Sequence, residues 1–237
     1  MKHFYLIVDT ETTQRGTVAD FGAVLITKQG EVVERFGAMV LNHFGSLPLF
    51  SDPTAPDSAI WSEQSAKRRE KDYYSMLDSG ERSISSVGLI NQWLAGINAR
   101  YAPVLTAYNL AFDLGKCRNT RIDLGIFGQS FCLMKAAKRQ IGTLAEYHEF
   151  CNANGFLTAK LRKPSMTADT MAKFIFGLSL ADEPHTALED AQFYEAPILH
   201  YLLADMTRKQ ILESGKRKQK YSRRFSRPIS FIQSVLI

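Results

Sequence analysis

Phe4-Tyr5-Leu6-Ile7-Val8 runs without a break into Asp9-Thr10-Glu11. A continuous apolar run of this length, with no alternation, predicts a central strand covered on both faces. It is too short for a secretory h-region and meets carboxylates at once, so it reads as a strand rather than a signal peptide. Val18–Thr27 and Val32–Leu41 are two further β-rich stretches, and Lys28-Gln29-Gly30-Glu31 between them supplies a hairpin turn. Residues 42–57 hold Gly45, Pro48, Pro53 and Pro56 and predict a loop. A polar helix is predicted over Ser58–Met76, ended by Ser79-Gly80. Ile84, Val87, Ile90, Leu94 and Ile97 recur at helical spacing.

Val104–Tyr108 predicts another short strand, followed by a helix from Asn109 to about Asn119. Phe131–Met134 predicts a fifth strand. Helices follow over Thr143–Asn154, Thr167–Phe176 and Thr186–Ala204. Pro197 inside the last of these should kink it, because proline removes a hydrogen bond at a cost of ~3 kcal/mol. Three strands followed by helices alternating with shorter strands imply an α/β fold. Its core is a mixed five-stranded sheet with helices on both faces. In such folds ligands gather beyond the ends of the central strands.

The chain has 237 residues, with 45% hydrophobic and 22% charged. That length suits one α/β domain with decoration, and that balance suits a soluble globular protein. Residues 1–205 are read as the domain, with a segment of about 42–86 inserted in it, and 206–237 as a basic tail. Residues 207–237 hold nine Lys or Arg against Glu213, a local charge of +8, so the net +5 leaves −3 for residues 1–206. An acidic body suits divalent cations and a basic tail suits phosphate. No apolar run approaches the roughly 20 residues of a membrane span, and a cytoplasmic setting is expected by default. Cys117, Cys132 and Cys151 give no disulfide framework and are expected to be reduced and buried. The alternative, a zinc site of Cys117, Cys132, His148 and Cys151, lacks a paired CxxC.

Three acidic motifs carry the chemistry. Asp9 and Glu11 stand two apart at the end of a strand, so both carboxylates point to one side. Two such charges are costly there unless a cation neutralises them. With Asn109 as N-cap, Asp113 falls at N4, near the positive end of the helix dipole. Thr186 and Glu189 form a capping-box pattern that makes Thr186 the N-cap. That sets His185 at N′ against Asp190 at N4, the pair of positions that a hydrophobic staple brings together. Each motif alone also reads as an ordinary polar turn or helix start. Together, four carboxylates and one histidine fit a single cleft.

Asp9-Thr10-Glu11, Asn109-Leu110-Ala111-Phe112-Asp113 and His185-Thr186-Ala187-Leu188-Glu189-Asp190 resemble, in order, the three motifs of the DEDDh 3′–5′ exonuclease family. That family comprises proofreading exonucleases and oligoribonuclease-like enzymes with a ribonuclease H-like fold. The resemblance spans residues 4 to about 204. It implies that Asp9, Glu11, Asp113 and Asp190 bind two divalent cations, Mg²⁺ or Mn²⁺, and that His185 is the general base. It implies release of nucleoside monophosphates from the 3′ end of nucleic acid. Oxygen ligands suit those ions, and a histidine with its usual pKa near 6.5 accepts a proton at neutral pH. Thr10, Thr12 and Phe112, beside the carboxylates, are candidate contacts to the terminal nucleotide.

Beyond the motifs, the inserted segment carries Trp61, Lys67, Arg68, Arg69, Lys71, Tyr73 and Tyr74. Basic and aromatic residues together suit single-stranded nucleic acid; a solvated helix packing its aromatics on the body is the alternative. The added basic regions tilt the substrate toward DNA over RNA. In the tail, Tyr221 and Phe225 interleave with basic residues, and Phe231–Ile237 is apolar. A substrate anchor, a protein partner or self-association, and plain disorder stand as alternatives for it. A reading from a different class is a nucleic-acid-binding or scaffolding subunit with a little-used exonuclease fold. It is disfavoured because all five site residues are present.

Overall fold

A computed structural model describes residues 3–215. Most of the basic tail, residues 216–237, lies outside the described residues. The sheet is built from β1 (Phe4–Thr12), β2 (Val18–Thr27), β3 (Val32–Val40), β4 (Ser83–Ser85), β5 (Val104–Ala107) and β6 (Ser130–Cys132), in the order β4-β3-β2-β1-β5-β6. The β1–β2 and β2–β3 pairs are antiparallel, while β3–β4, β1–β5 and β5–β6 are parallel. The sheet is mixed, as predicted, with six strands rather than five. The added strand, β4, is only Ser-Ile-Ser, too short to show a period of two.

Alternation along β1 sorts its side chains between two cores. Tyr5 and Ile7 pack with Val24 and Ile26 against α4 (Leu133–Gln140), α5 (Ala145–Asn154), α6 (Ala168–Phe176) and α8 (Ala196–Asp205). Leu6 and Val8 pack with Phe21, Ala23 and Leu25 against α2 (Val87–Tyr101) and α3 (Leu110–Thr120). Every residue of β2 is buried, which is why its sequence shows no polar alternation apart from Asp20. The segment of residues 42–86 contributes α1 (Glu63–Ser79), capped by Ser62, whose side chain accepts from the Ser65 N–H. A third, small core joins it to the sheet through Ala19, Met39, Phe44, Leu49, Ala66 and Tyr73. Among the described residues no helix is long and apolar enough to cross a membrane.

Two features of the local reading are corrected. The helix predicted over Thr186–Ala204 is α7 (Ala187–Asp190), a π-helical turn (Ala191–Glu195) and α8. Pro197 sits in the first turn of α8, and the expected disturbance takes the form of that wider turn, in which the Ala196 N–H reaches the carbonyl of Ala191. The zinc alternative also fails. Cys117 and Cys132 belong to the core under α2 and α3 and Cys151 to the opposite one, while the His148 ring bonds the Gly142 carbonyl. Among the described residues the three thiols are free and buried. The final helix, α9 (Arg208–Ser214), starts with a complete capping box from Thr207 and Gln210 and buries Ile211.

Candidate active site

The cleft begins where β5 stops. β5 pairs with only Tyr5, Leu6 and Ile7 of β1, whereas β2 follows β1 as far as Thr12. Asp9 and Glu11 therefore lie in the last four residues of β1, at the end of the strand as expected. Their strand is paired on one side and open on the other. By alternation they share the face of Tyr5 and Ile7, and Thr10 takes the face of α3. There the Thr10 hydroxyl donates to Asp113 Oδ1 at 2.9 Å. Asn109 is the N-cap of α3, without a capping hydrogen bond from its side chain, and Asp113 lies in the first helical turn as expected.

Glycine places the third motif. Gly22, the Cα partner of Asp9, lies so close beneath α7 that an added Cβ would meet the Ala187 carbonyl carbon at 2.2 Å. Gly37 makes room for the Leu188 side chain in the same way. Asp20, the Cα partner of Glu11, accepts the Ala187 N–H at 2.8 Å. That bond replaces the predicted capping box. Thr186 is the N-cap but makes no capping bond to the backbone; its hydroxyl donates to Glu189 Oε2 at 2.6 Å. The Glu189 carboxylate is also engaged by Arg82, itself buried and 3.8 Å from Asp20. A β-strand carboxylate thus does the work expected of the helix's own residues, and the price in the sequence pattern is a box that looks complete and is not.

All eight predicted site residues, Asp9, Thr10, Glu11, Thr12, Phe112, Asp113, His185 and Asp190, line one cavity of about 350 Å³. Ligand atoms of Glu11, His185 and Asp190 lie within 4.8 Å of one another, so the staple geometry does bring His185 and Asp190 together. His185 takes a left-handed backbone, φ 58°, which is uncommon for a residue with a side chain. The Tyr73 hydroxyl, from α1, donates to its carbonyl at 3.4 Å.

Burial governs the electrostatics. It raises Asp9, with the charges of Glu195, Asp113, Asp190 and Glu11 adding to it. Burial pushes Glu11 up to about 8, opposed by Arg69, and Asp113 up to about 7, opposed by the Thr10 hydroxyl. Asp190 is raised by burial and then by Glu183, Glu11 and Glu195. His185 moves the other way, to about 4, through burial and then the charge of Arg69, and is a neutral imidazole at pH 7. Crowded carboxylates of this kind are relieved by protons or by cations. Asp190 Oδ1 is buried without a hydrogen-bond partner, and the donor set of carboxylates with one imidazole fits a hard divalent ion.

Several cavity residues escaped the sequence reading. Glu195 is buried and accepts the Tyr108 N–H at 3.2 Å; its place depends on the π-helical turn, which has no signature in an α-helical period. Glu183, raised to about 7 chiefly by burial, stands two residues before His185, and its spacing was a usable signal. Phe50 enters from the 42–86 segment, as does Trp61, which the sequence had already offered as one of the aromatic residues suited to nucleic acid. Within that segment, Arg69 and Tyr73 are buried, while Lys67, Arg68 and Lys71 are exposed.

No protein-family model matches the sequence, and no curated protein matches it. Two exonuclease complexes are among the solved structures that resemble the fold. One is E. coli Exonuclease I in complex with a 5cy-dT13 oligonucleotide, at 14% identity and a TM-score of 0.50. That match covers 90% of this chain and 42% of the other. The second is Exonuclease X in complex with 5′-overhanging duplex DNA, at 16% identity and a TM-score of 0.42, covering 90% and 99%. At 14% identity the likeness to the first is one of architecture: the six-stranded mixed sheet with helices on both faces is a ribonuclease H-like fold.

Proposed function

We propose that the protein is a metal-dependent 3′–5′ exonuclease that hydrolyses the terminal phosphodiester of nucleic acid, DNA in preference to RNA, and releases nucleoside monophosphates. The observation that carries this reading is the convergence of Asp9, Glu11, Asp113, His185 and Asp190 on one cavity, with a buried carboxylate oxygen of Asp190 left for a ligand. Asp9, Glu11, Asp113 and Asp190 would hold two divalent cations, Mg²⁺ or Mn²⁺. When bound, such ions supply activation of water and charge stabilisation in an in-line phosphoryl displacement.

The chain's own residues supply the rest. Neutral His185, on its loop between Pro184 and α7, is the group able to take the proton of the attacking water. Thr10 holds Asp113 through its hydroxyl, and Asp20 holds the start of α7 that carries Asp190. Lys116 and Asn109, also at the cavity wall, offer a cation and an amide to a phosphate.

The test uses 5′-labelled single-stranded DNA, duplex DNA and RNA with Mg²⁺, Mn²⁺ or EDTA, beside Asp9→Ala. The expected result is a ladder shortening from the 3′ end, dependent on metal and absent in the variant. Binding that ignores chelators, with no product from any substrate, would instead identify a nucleic-acid-binding subunit.

A further inference from the structure

Among the described residues, five other than glycine take a left-handed backbone: Asn42, Ala102, Arg121, Arg162 and His185. Ala102 and Arg121 do so as C-caps of α2 and α3, where helices commonly end in this way. His185 ends no helix and stands directly before Thr186, the N-cap of α7. Backbone of this kind persists only where its surroundings over-determine it, and the bonds around His185 do so residue by residue. The Tyr73 hydroxyl donates to the His185 carbonyl at 3.4 Å. The Thr186 hydroxyl donates to Glu189 Oε2 at 2.6 Å, and the Ala187 N–H donates to Asp20 Oδ2 at 2.8 Å. Tyr73 comes from α1 and is 0% exposed. Its ring meets Phe44 edge to face at 5.5 Å and packs with Ala19 and Met39 of the sheet, behind the cavity wall rather than on it. A buried phenol needs a partner for its hydroxyl, and this one serves two. Burial pushes Asp20 up to about 6, and Arg82, the Ala187 N–H and the Tyr73 hydroxyl oppose it. Tyr73 and Asp20 thus brace the turn at residues 185 and 187 and also bear on each other.

We propose that Tyr73 is a positioning residue for His185: its hydroxyl, with Asp20, holds the left-handed turn that sets the imidazole beside Glu11 and Asp190. This deepens the nuclease reading and rests on it for what the imidazole does there. The ligand atoms of Glu11, His185 and Asp190 lie within 4.8 Å of one another with φ of His185 at 58°. Rotation to an ordinary negative φ redirects the Cα–Cβ bond and carries the ring out of that group. Tyr73 touches neither the reacting atoms nor the cavity that would seat a substrate, so loss of its hydroxyl should lower kcat and spare KM. The 42–86 segment thereby acts on catalysis from within the core, apart from any contact of its own with nucleic acid.

The experiment has a structural arm and a turnover arm, both on the full chain. Tyr73→Phe keeps the ring on Phe44 and removes only the hydroxyl. Hydrogen exchange at the Ala187 amide should quicken by roughly 2- to 12-fold, the net worth of one hydrogen bond. His185→Gly should unfold at a higher temperature than His185→Ala, because glycine takes this backbone without strain. In hydrolysis of a single-stranded oligonucleotide, Tyr73→Phe should lower kcat by about 10-fold, and by up to about 10²-fold if the ring shifts a full ångström, at an unchanged KM. In the His185→Ala background the same substitution should cost nothing further, since it acts only through the imidazole. A purely structural tyrosine would instead slow both backgrounds equally. An equal loss in both, an unchanged exchange rate at Ala187, or His185→Gly no more stable than His185→Ala overturns the proposal. Faster exchange at Ala187 with no hydrolysis by any chain upholds the brace and removes the nuclease reading instead.

Discussion

Gly22→Ala tests how the third motif is placed. The new Cβ would sit 2.2 Å from the Ala187 carbonyl carbon, 2.3 Å from its oxygen and 2.3 Å from the Leu188 nitrogen. These are backbone atoms, so no rotamer change relieves the overlap. Ordinary contact begins at 3.4 Å, and β2 and α7 must therefore separate by about 1 Å. Overpacking of this kind costs roughly 1–3 kcal/mol, which for a chain of this size lowers Tm by roughly 2–12 °C. Activity should suffer more than stability. Gly22 is the Cα partner of Asp9 and Ala187 begins the short helix that ends at Asp190, so the separation pulls apart two of the carboxylates proposed to hold metal. A displacement near 1 Å in such a site costs about 10²-fold in rate.

The assays are thermal unfolding by circular dichroism, Mn²⁺ binding by calorimetry and 3′-end hydrolysis. Gly115→Ala is the control of opposite sign. Gly115 lies inside α3 with nothing within 4 Å of its would-be Cβ, and alanine there should stabilise by up to about 1 kcal/mol. If Gly22→Ala unfolds with Gly115→Ala and hydrolyses at the native rate, the close approach of β2 and α7 does not set the site.

Arg82→Met should destabilise by about 3–5 kcal/mol in denaturant unfolding, because it leaves the buried carboxylate of Asp20 without its cation; Asp20→Asn in the same chain should recover part of the loss, and a second variant as unstable as the first would refute the pairing. Stability without metal should fall as pH rises from about 5 to 8. Glu11 is held up to about 8, Glu183 to about 7 and Asp20 to about 6. The folded chain thus keeps protons that the unfolded chain has released, and the slope is negative until those pKa values are passed. Saturating Mg²⁺ should flatten the decline, and a Tm that climbs over this range in EDTA would contradict the crowding of carboxylates. His185→Ala should slow hydrolysis by ~10²–10⁴-fold with oligonucleotide affinity retained; lost affinity at an unchanged rate would remove the proton-accepting role.

The strands and most helices were legible because their signals are local. The apolar run of β1, the Gly30 turn between β2 and β3 and the apolar spacing along α2 each follow from a few neighbouring residues. The three motifs were legible for the same reason, since each lies at one strand or one helix start. What escaped depends on contacts far apart in sequence. The Asp20 carboxylate takes the Ala187 N–H across 167 positions, so a capping box that looks sound from four residues is disassembled by a fifth. The segment of residues 42–86 could be seen as basic and aromatic, but its sorting into buried Arg69 and Tyr73, exposed Lys67 and Arg68, and cavity-lining Trp61 is decided by where α1 packs. The helix at Leu133–Gln140 was missed because the strand signal of Phe131–Met134 ran over its start.

Pro197 and Glu195 are bound together by the π-helical turn between Ala191 and Glu195. In an unbroken α-helix the ring of Pro197 would press on the carbonyl of residue 193, and the wider turn just ahead of it takes up the difference. That turn amounts to one extra residue in the helix, and Glu195, at its end, lines the same cavity as Asp9. A lineage drifting from proline to alanine at 197 would lose the reason for the wide turn, and deleting one residue from 191–195 would restore a straight helix that strands the proline. Neither change is neutral alone, while both together leave a regular helix with its carboxylate turned away. The two positions should thus be inherited as a pair, a signature to seek in any chain that carries the same three motifs.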